Sequence, residues 1–333
     1  MIPTEKSARA IKRVLVIFPG ALGDLVCLLP ALVAISQRHR GASVELMARF
    51  ELARLASGRT VVARAHSIDA REVGGLFSDE EEEKGRRFFG EFDRMYSFFA
   101  SDDSRFRARL AAATDAVVSF HPFRPGGDGH VSEAYLRAID ADAAPVDARL
   151  EPTRDDLAAA AQVMPESKSN LIVIFPGSGS PAKNWPADKF AALATTLTKR
   201  SGILRSADSA LDDKEAGQND ERHSCVVVLG PPEAPIEPIF HDAGLHVLKN
   251  LDLPTVAAIA RLASAFVGND SGVSHLAAAV GASGVVLFGP TDPVRWRPLG
   301  GGRIAVLRRD PIDSIEVEEI AGALAKFVDA PQK

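Results

Sequence analysis

The sequence predicts an α/β protein made of two doubly wound halves, each with a parallel sheet at its centre. Three observations predict it. First, Val14–Phe18 and Leu171–Phe175 are short, wholly apolar runs, the pattern of a central parallel strand covered on both faces. Second, each run leads into a Gly-rich turn and then into helical periodicity, and the tetrapeptide Ile-Phe-Pro-Gly stands at 17–20 and again at 174–177. Third, 333 residues suit about two domains at roughly 150 residues each.

The elements follow in order. After the first strand, Pro19 to Gly23 is a tight turn. A helix runs from Asp24 to His39, with Leu25, Leu28, Leu29, Leu32, Val33 and Ile35 on a broad buried face, Arg38, His39 and Arg40 at its end and Gly41 as its stop. Ala42–Ala48 completes a strand–helix–strand unit. Thr60–Ala63, Phe92–Phe99 and Ala116–Phe120 read as strands, with a helix around Arg105–Ala113. Phe77–Phe89 is a solvated helix face or a loop. Phe123–Val131 is a Gly- and Pro-rich loop, and Val131–Ala141 and Arg154–Val163 are helical.

The second half repeats the rhythm. Trp185–Lys199, Leu253–Ala263 and His275–Val280 are expected helices. Cys225–Leu229, Val247–Leu248, Ala265–Gly268, Gly284–Phe288 and Ile304–Leu307 are expected strands. Residues 201–224 are dense in charge and poor in apolar anchors, and are expected to form a surface insertion. Ile315–Val328 is amphipathic and is expected to be a terminal helix docking on the first domain. The expected division is 1–160, 165–312 and a terminal piece 313–333.

Composition narrows the function. Hydrophobic residues are 46% and charged residues 25%, as in an ordinary soluble domain that buries a core unaided. The 39 Lys and Arg against 44 Asp and Glu give a formal charge of −5, which argues against nucleic acid as a general partner. Cys27 and Cys225 are too few for a disulfide framework or a four-cysteine zinc site, and suit buried positions in a reducing compartment. No segment reaches the ~18 apolar residues of a membrane span. The basic start followed by Val-Leu-Val-Ile-Phe reads as a first buried strand rather than an exported leader. Peripheral contact with the inner face of a membrane stays open.

Ligands of open α/β sheets bind beyond the carboxyl ends of the strands, and three loops there have the right chemistry. The first is Pro19-Gly20-Ala21-Leu22-Gly23-Asp24. It lacks a full G-x-G-x-x-G and the Lys-Ser/Thr of a phosphate-binding ATPase loop. Asp24 has two readings, an N-cap of the helix or a general base. The second loop is 176–183, where glycines admit a ligand, Ser178 and Ser180 bring hydroxyls and Lys183 brings a compact charge. Lys183 is a phosphate ligand or a solvated surface lysine. The third runs from Gly268 through Asn269-Asp270-Ser271-Gly272 to His275, with Phe288-Gly289-Pro290-Thr291-Asp292 on the next turn. Backbone N–H groups at such a strand-to-helix switch suit an anion. His275 is a ligand or a satisfied core histidine.

Other chemistries are weaker. There is no H-E-x-x-H, no C-x-x-C and no calcium-loop spacing, so no metal is expected. Ser271 has no glycine two places before it, so no hydrolase elbow is present. The incomplete first turn weakens a nicotinamide site, although Glu45, about 20 residues further on, leaves a ribose contact open.

Three stretches together resemble glycosyltransferase family 9, the ADP-heptose:lipopolysaccharide heptosyltransferases. They are Val-Leu-Val-Ile-Phe-Pro-Gly-Ala-Leu-Gly-Asp-Leu near the start, Pro-Gly-Ser-Gly-Ser-Pro-Ala-Lys-Asn-Trp-Pro in the middle and Asn-Asp-Ser-Gly-Val-Ser-His-Leu-Ala-Ala with Phe-Gly-Pro-Thr-Asp late. The resemblance covers roughly residues 13 to 328. It implies a GT-B fold, two Rossmann-like domains facing a cleft, the first taking the acceptor and the second the nucleotide-sugar. It implies Asp24 as catalytic base and Ser178, Lys183, Glu233, Asp270, Ser271, Gly272, His275 and Thr291 in the donor site, with the amides of 271 and 272 near the diphosphate. Glu233 would bind the ribose, although Pro231-Pro232 departs from the usual family pattern. The implied reaction is an inverting single displacement from ADP-heptose, without a metal, in the cytoplasm. The implied acceptor is an anionic lipid-linked saccharide, with Arg64 and Arg71 the preferred contacts among many first-half arginines.

Overall fold

A computed structural model describes residues 10–74, 76, 82–142, 149–165, 170–200 and 223–328. The chain divides into two compact units. One is Met1–Ala21 with Leu28–Val146, and the other is Leu22–Cys27 with Asp147–Lys333.

The first unit holds β1 (Arg13–Ile17), α1 (Leu22–Arg38), β2 (Ser43–Ala48), α2 (Phe50–Ala56), β3 (Val62–Ser67), α3 (Arg71–Gly74), α4 (Glu82–Phe89), β4 (Arg94–Ser97), α5 (Ser104–Ala112), β5 (Val117–Phe120) and α6 (Val131–Ala138). The strands form one parallel sheet in the order β3-β2-β1-β4-β5. Val14, Leu15 and Val16 are fully buried, as a central parallel strand demands. The first turn of α1 belongs by its contacts to the other unit. Pro30 sits inside α1 and has no N–H to offer the carbonyl of Val26, so the helix ladder is interrupted close to where its contacts change.

The second unit holds α7 (Arg154–Val163), β6 (Leu171–Phe175), α8 (Ala187–Arg200), β7 (Ser224–Leu229), α9 (Glu237–Asp242), β8 (His246–Lys249), α10 (Leu253–Leu262), β9 (Ala265–Asn269), α11 (Gly272–Ala279), β10 (Gly284–Phe288), α12 (Pro293–Trp296), β11 (Ile304–Arg308) and α13 (Val317–Val328). Its six strands are parallel in the order β11-β10-β9-β6-β7-β8. The order reverses between β6 and β9, which makes these two strands neighbours although some 90 residues separate them. That reversal is where open α/β sheets bind ligands.

The terminal helix α13 packs on α8, β9 and β10 of the second unit. Ile320 and Leu324 are fully buried there, with Ile312 and Ile315, in the cluster that also holds Trp185, Phe190 and Val267. Helix α7 packs on α10 and is grouped with the second unit. Helices α2 and α9 were not expected. Both are short, seven and six residues, and neither has a side-chain N-cap hydrogen bond to announce it. The charged insertion at 201–224 lies, as far as residue 222, outside the described residues.

One charged residue is built into the first core. Glu45, on β2, is completely buried. Its carboxylate accepts from Arg13 Nε at 2.8 Å and pairs with His66 Nε2 at 2.7 Å. Phe88 and Phe92 stand edge-on to the His66 ring, and the Arg13 guanidinium lies 4.5 Å from the Phe92 centroid. Burial works against the charge, but the hydrogen bonds from His66 and Arg13 outweigh it and hold the carboxyl down at about 2. Glu45 is therefore committed to the fold, and the ribose contact left open by its spacing is closed.

A folded-state value of about 2 against an ordinary 4.5 means that the contribution of Glu45 is fully present above pH 4.5. It fades as the pH falls towards 2. Glu45→Ala should cost about 3 kcal/mol near neutrality, because Arg13 and His66 lose their buried partner. Urea unfolding of both proteins at a series of pH values checks this: the gap between them should shrink only below about pH 4.5.

Candidate active site

The site is assembled at the carboxyl ends of β6 and β9. Phe175 pairs with Gly268 at the end of the shared ladder. A side chain at Gly268 would meet Ser274 Oγ at 2.7 Å and Phe175 Cβ at 3.0 Å, so this close approach needs glycine. Asn269 follows, fully buried. Its Nδ2 donates to the Pro176 carbonyl at 2.7 Å, and its Oδ1 accepts from the Trp185 amide at 3.0 Å. Its own carbonyl accepts from Ser274 Oγ at 2.7 Å. One side chain thus joins both ends of the 176–185 segment to the turn that opens α11. Trp185 Nε1 donates in turn to the Ile315 carbonyl at 3.0 Å.

This frame sets the charges. Lys183 Nζ donates to Asp270 Oδ2 at 2.7 Å, and Asp270 is buried while Lys183 keeps about a third of its side-chain surface. Ser271 stands at the N-cap of α11 without a capping side-chain bond, its Oγ 3.3 Å from Ser274 Oγ. The first N–H groups of such a helix have no partner within it, and its positive end favours an anion. The turn after β10 lies alongside, since a side chain at Gly289 would be 3.2 Å from the Ala182 carbonyl. Thr291 is half-buried on that turn, whereas Asp292 caps α12 by accepting from the Val294 amide at 3.1 Å.

The first turn of α1 completes the cluster. A side chain at Gly272 would meet Leu22 Cβ at 2.9 Å and the Gly23 nitrogen at 3.1 Å, so the starts of α1 and α11 lie backbone to backbone. Cys27 Sγ is 3.7 Å from His275 Nδ1. Asp24 is the third residue of α1, inside the first turn rather than at the N-cap, and retains 6% of its surface. A carboxylate there balances the positive helix start.

The structure thus brings together Lys183, Asp270, Ser271, Gly272 and His275, with the turn of Asp24 against them. Ser178 spends its hydroxyl locally, donating to the Ser180 carbonyl at 2.8 Å and accepting from the Ser180 amide at 3.2 Å. Glu233 fills the space beside Gly177, where any Cβ would collide with its carboxylate, and accepts from the Gly230 amide at 2.9 Å. Arg64 and Arg71 are exposed on the first unit, and Arg64 approaches Glu45 at 3.9 Å. Among the described residues, no three His, Cys, Asp or Glu side chains gather into a metal-binding group. Nor is any described helix long and apolar enough to cross a membrane. Two contributors escaped the sequence. Asn269 was visible within the Gly-Asn-Asp-Ser-Gly turn, but the two partners of its side chain, Pro176 and Trp185, are distant. Cys27 lies one helical turn after Gly23, a spacing legible only once its neighbour is known.

Two parallel, doubly wound units with polar turns gathered at a strand-order reversal define the class of open α/β proteins that bind ligands beyond the carboxyl ends of their strands. The family model described as glycosyltransferase family 9 (heptosyltransferase) matches residues 131–319, more than half of the chain. The chain belongs to that family. Lipopolysaccharide heptosyltransferase 3 of Escherichia coli is 30% identical over 135 residues, which make up 40% of this chain and 36% of that relative, so the match spans little more than a third of the relative's length. A family 9 glycosyl transferase from Veillonella parvula has the same fold, with a TM-score of 0.74 at 17% identity, over 95% of this chain and 97% of that one. The ADP-heptose lps heptosyltransferase II of E. coli gives 0.70 at 19% identity, over 95% and 98%. The fold is GT-B, as the resemblance implied.

Asn269→Ala should destabilise the second unit by about 3 kcal/mol, because a buried N–H and a buried carbonyl both lose their partner. Urea unfolding followed by tryptophan fluorescence measures it, since Trp185 sits on the broken tie.

Proposed function

We propose that the chain is an inverting glycosyltransferase that moves a heptose from ADP-heptose to an anionic, lipid-linked saccharide of the lipopolysaccharide-core class. The observation that carries the reading is the packing of the first turn of α1, with Asp24, against the Asp270–His275 turn beside Lys183. One proton acceptor and one set of anion-binding groups share a small volume of the second unit. Family membership and the ADP-heptose named for the E. coli relative support the choice of donor.

The chemistry follows from these parts. The acceptor hydroxyl oxygen forms a bond to the sugar C1 while the C1–O bond to the diphosphate breaks and ADP leaves with the electron pair. The hydroxyl proton passes to the Asp24 carboxylate. Positive charge gathers on C1 and its ring oxygen, and negative charge on the departing phosphate. Lys183 and the amides of Ser271 and Gly272 stabilise that phosphate as charge develops. Attack opposite the leaving group inverts the anomeric centre. Asp270 keeps Lys183 in place before the donor arrives. Glu233, at the ends of β6 and β7, is assigned to the ribose hydroxyls, Ser178 and Thr291 to the donor's flanks and Arg64 and Arg71 to the acceptor. The setting that goes with such a donor is the cytoplasm, with peripheral membrane contact through the lipid of the acceptor.

Asp24→Asn should fold and bind donor like the wild type while turnover drops ~100-fold or more, the loss of a general base. Transfer assays with ADP-, UDP- and GDP-sugars measure it, and undiminished turnover would reject the role. Lys183→Gln keeps a hydrogen-bond donor for the buried Asp270 but removes the charge. It should weaken ADP binding by about 10-fold in calorimetry, the scale of one charge-assisted bond. Donor bound without transfer to any acceptor, and without donor hydrolysis, would point to a binding module instead of an enzyme.

A further inference from the structure

Two histidines of the first unit meet one tyrosine. His39, just after α1, has its Nε2 2.9 Å from the Tyr96 hydroxyl. His121, just after β5, lies nearly parallel to the Tyr96 ring, with centroids 5.9 Å apart, and tilts over Phe98 at 5.2 Å. The His121 amide donates to the Ser97 carbonyl at 2.8 Å, so the residue extends the ladder of β4 and β5. It keeps only 9% of its surface. Its imidazole donates to the carbonyl of Ala138, the last residue of α6. Nε2 is buried and has no partner among the described residues. The donor is therefore Nδ1, and the neutral ring carries its lone pair on Nε2.

The next two carbonyls at the same helix end, Ile139 and Asp140, accept from Arg38 at 2.7 and 2.8 Å. Side chains of two other elements thus hold the carboxyl end of α6, and of these donors the imidazole is the one that changes charge near neutrality. A second proton on the ring is poorly received. It would turn Nε2 into an N–H donor with no acceptor, and it would place a cation beside Arg38 of α1 and Arg94 of β4. Arg38 already supplies the cation that a helix end favours. Burial is the main force that keeps His121 below its ordinary 6.5; Arg94 and Arg38 act with it, and the Ala138 bond and the exposed Asp140 act against it. His39 is pushed down as well, by burial first and then by the same two arginines.

We propose that His121 is a proton-sensitive latch on α6: as a neutral imidazole it holds the helix end through Nδ1, and uptake of a solvent proton at Nε2 releases that end from the sheet. Once the end opens, the ring is solvated and takes its proton near the ordinary 6.5. The open state therefore binds more protons than the closed one as the pH falls below that value, and opening becomes easier in acid. Tyr135, on the same helix, donates to the Phe123 carbonyl at 3.0 Å, so a loosened α6 also loosens the segment that follows β5.

Hydrogen exchange of the full chain, corrected for intrinsic rates, reads the opening of α6 against pH. Protection of the α6 amides should be constant well above 6.5 and fall below it, with a slope of up to about tenfold per pH unit, the limit for one proton. Helix α10, in the second unit, reports general acid unfolding and should keep its protection. His121→Gln retains an N–H for the Ala138 carbonyl but does not titrate, so its α6 profile should be flat. His39→Gln should keep the wild-type slope. Nitrogen-15 histidine spectra above pH 6.5 should show His121 in the Nδ1–H form, its signals assigned by their loss in His121→Gln. An Nε2–H ring, or a flat α6 profile in the wild type, overturns the latch without needing any variant to fold. So does a slope that survives His121→Gln, vanishes in His39→Gln or is shared by α10.

Discussion

The second unit depends on the buried side-chain amide of Asn269. Its strand, β9, ends beside β6, and each strand delivers a polar turn to the same place. Two such turns would carry unpaired backbone groups into a buried setting, at about 1–3 kcal/mol for each group left unmet. Asn269 meets two of them at once, the Pro176 carbonyl and the Trp185 amide. Its own carbonyl is met by Ser274 on α11. The position of Lys183 follows, because it lies between the two tied points. The anchoring of Trp185 to the segment before α13 extends the same frame to the end of the chain.

Three buried carboxylates show how environment divides the use of one functional group. Glu45 is saturated by Arg13 and His66 under a roof of phenylalanines, and its ionisation is locked to the fold. Asp270 is held by a single lysine that remains partly solvated, so its partner is still within reach of a ligand. Asp24 lies in the first turn of a helix whose start abuts the start of another. In the proposed reaction, the last two are the ones assigned to the incoming anion and the incoming hydroxyl. The thiols divide similarly. Burial pushes Cys225 up to about 12 and leaves it a core residue, while Cys27 touches an imidazole of the site.

The glycines of the site mark close approaches more than flexible points. Gly268 and Gly272 admit Phe175 and Leu22 at distances that a side chain would forbid, and Gly177 gives its side-chain space to Glu233. A sequence shows these residues as turn formers. Their partners, which give each its reason, lie on other elements, and for Gly272 about 250 residues away.

The sequence by itself determined the strands, the main helices and the polar turns. Apolar runs such as Leu171–Phe175 are covered on both faces only in a parallel sheet, and the Gly-Asp, Lys-Asn-Trp-Pro and Asn-Asp-Ser-Gly blocks each carry a local chemical signature. It also pointed to Lys183 and His275, whose residue types at strand ends suit an anionic ligand, and to Asp24, whose carboxylate suits a helix cap or a general base. Tertiary structure alone decided which turns meet. The reversal between β6 and β9 is a property of strand order, which local periodicity does not encode. The same is true of α13 and α7, whose periodicity declares that a face is buried but not against which elements. Glu45 and Cys27 make the point for single residues: spacing offered one to a nucleotide and the other to the core. The partner that fixes each use comes from a distant segment, His66 in one case and His275 in the other.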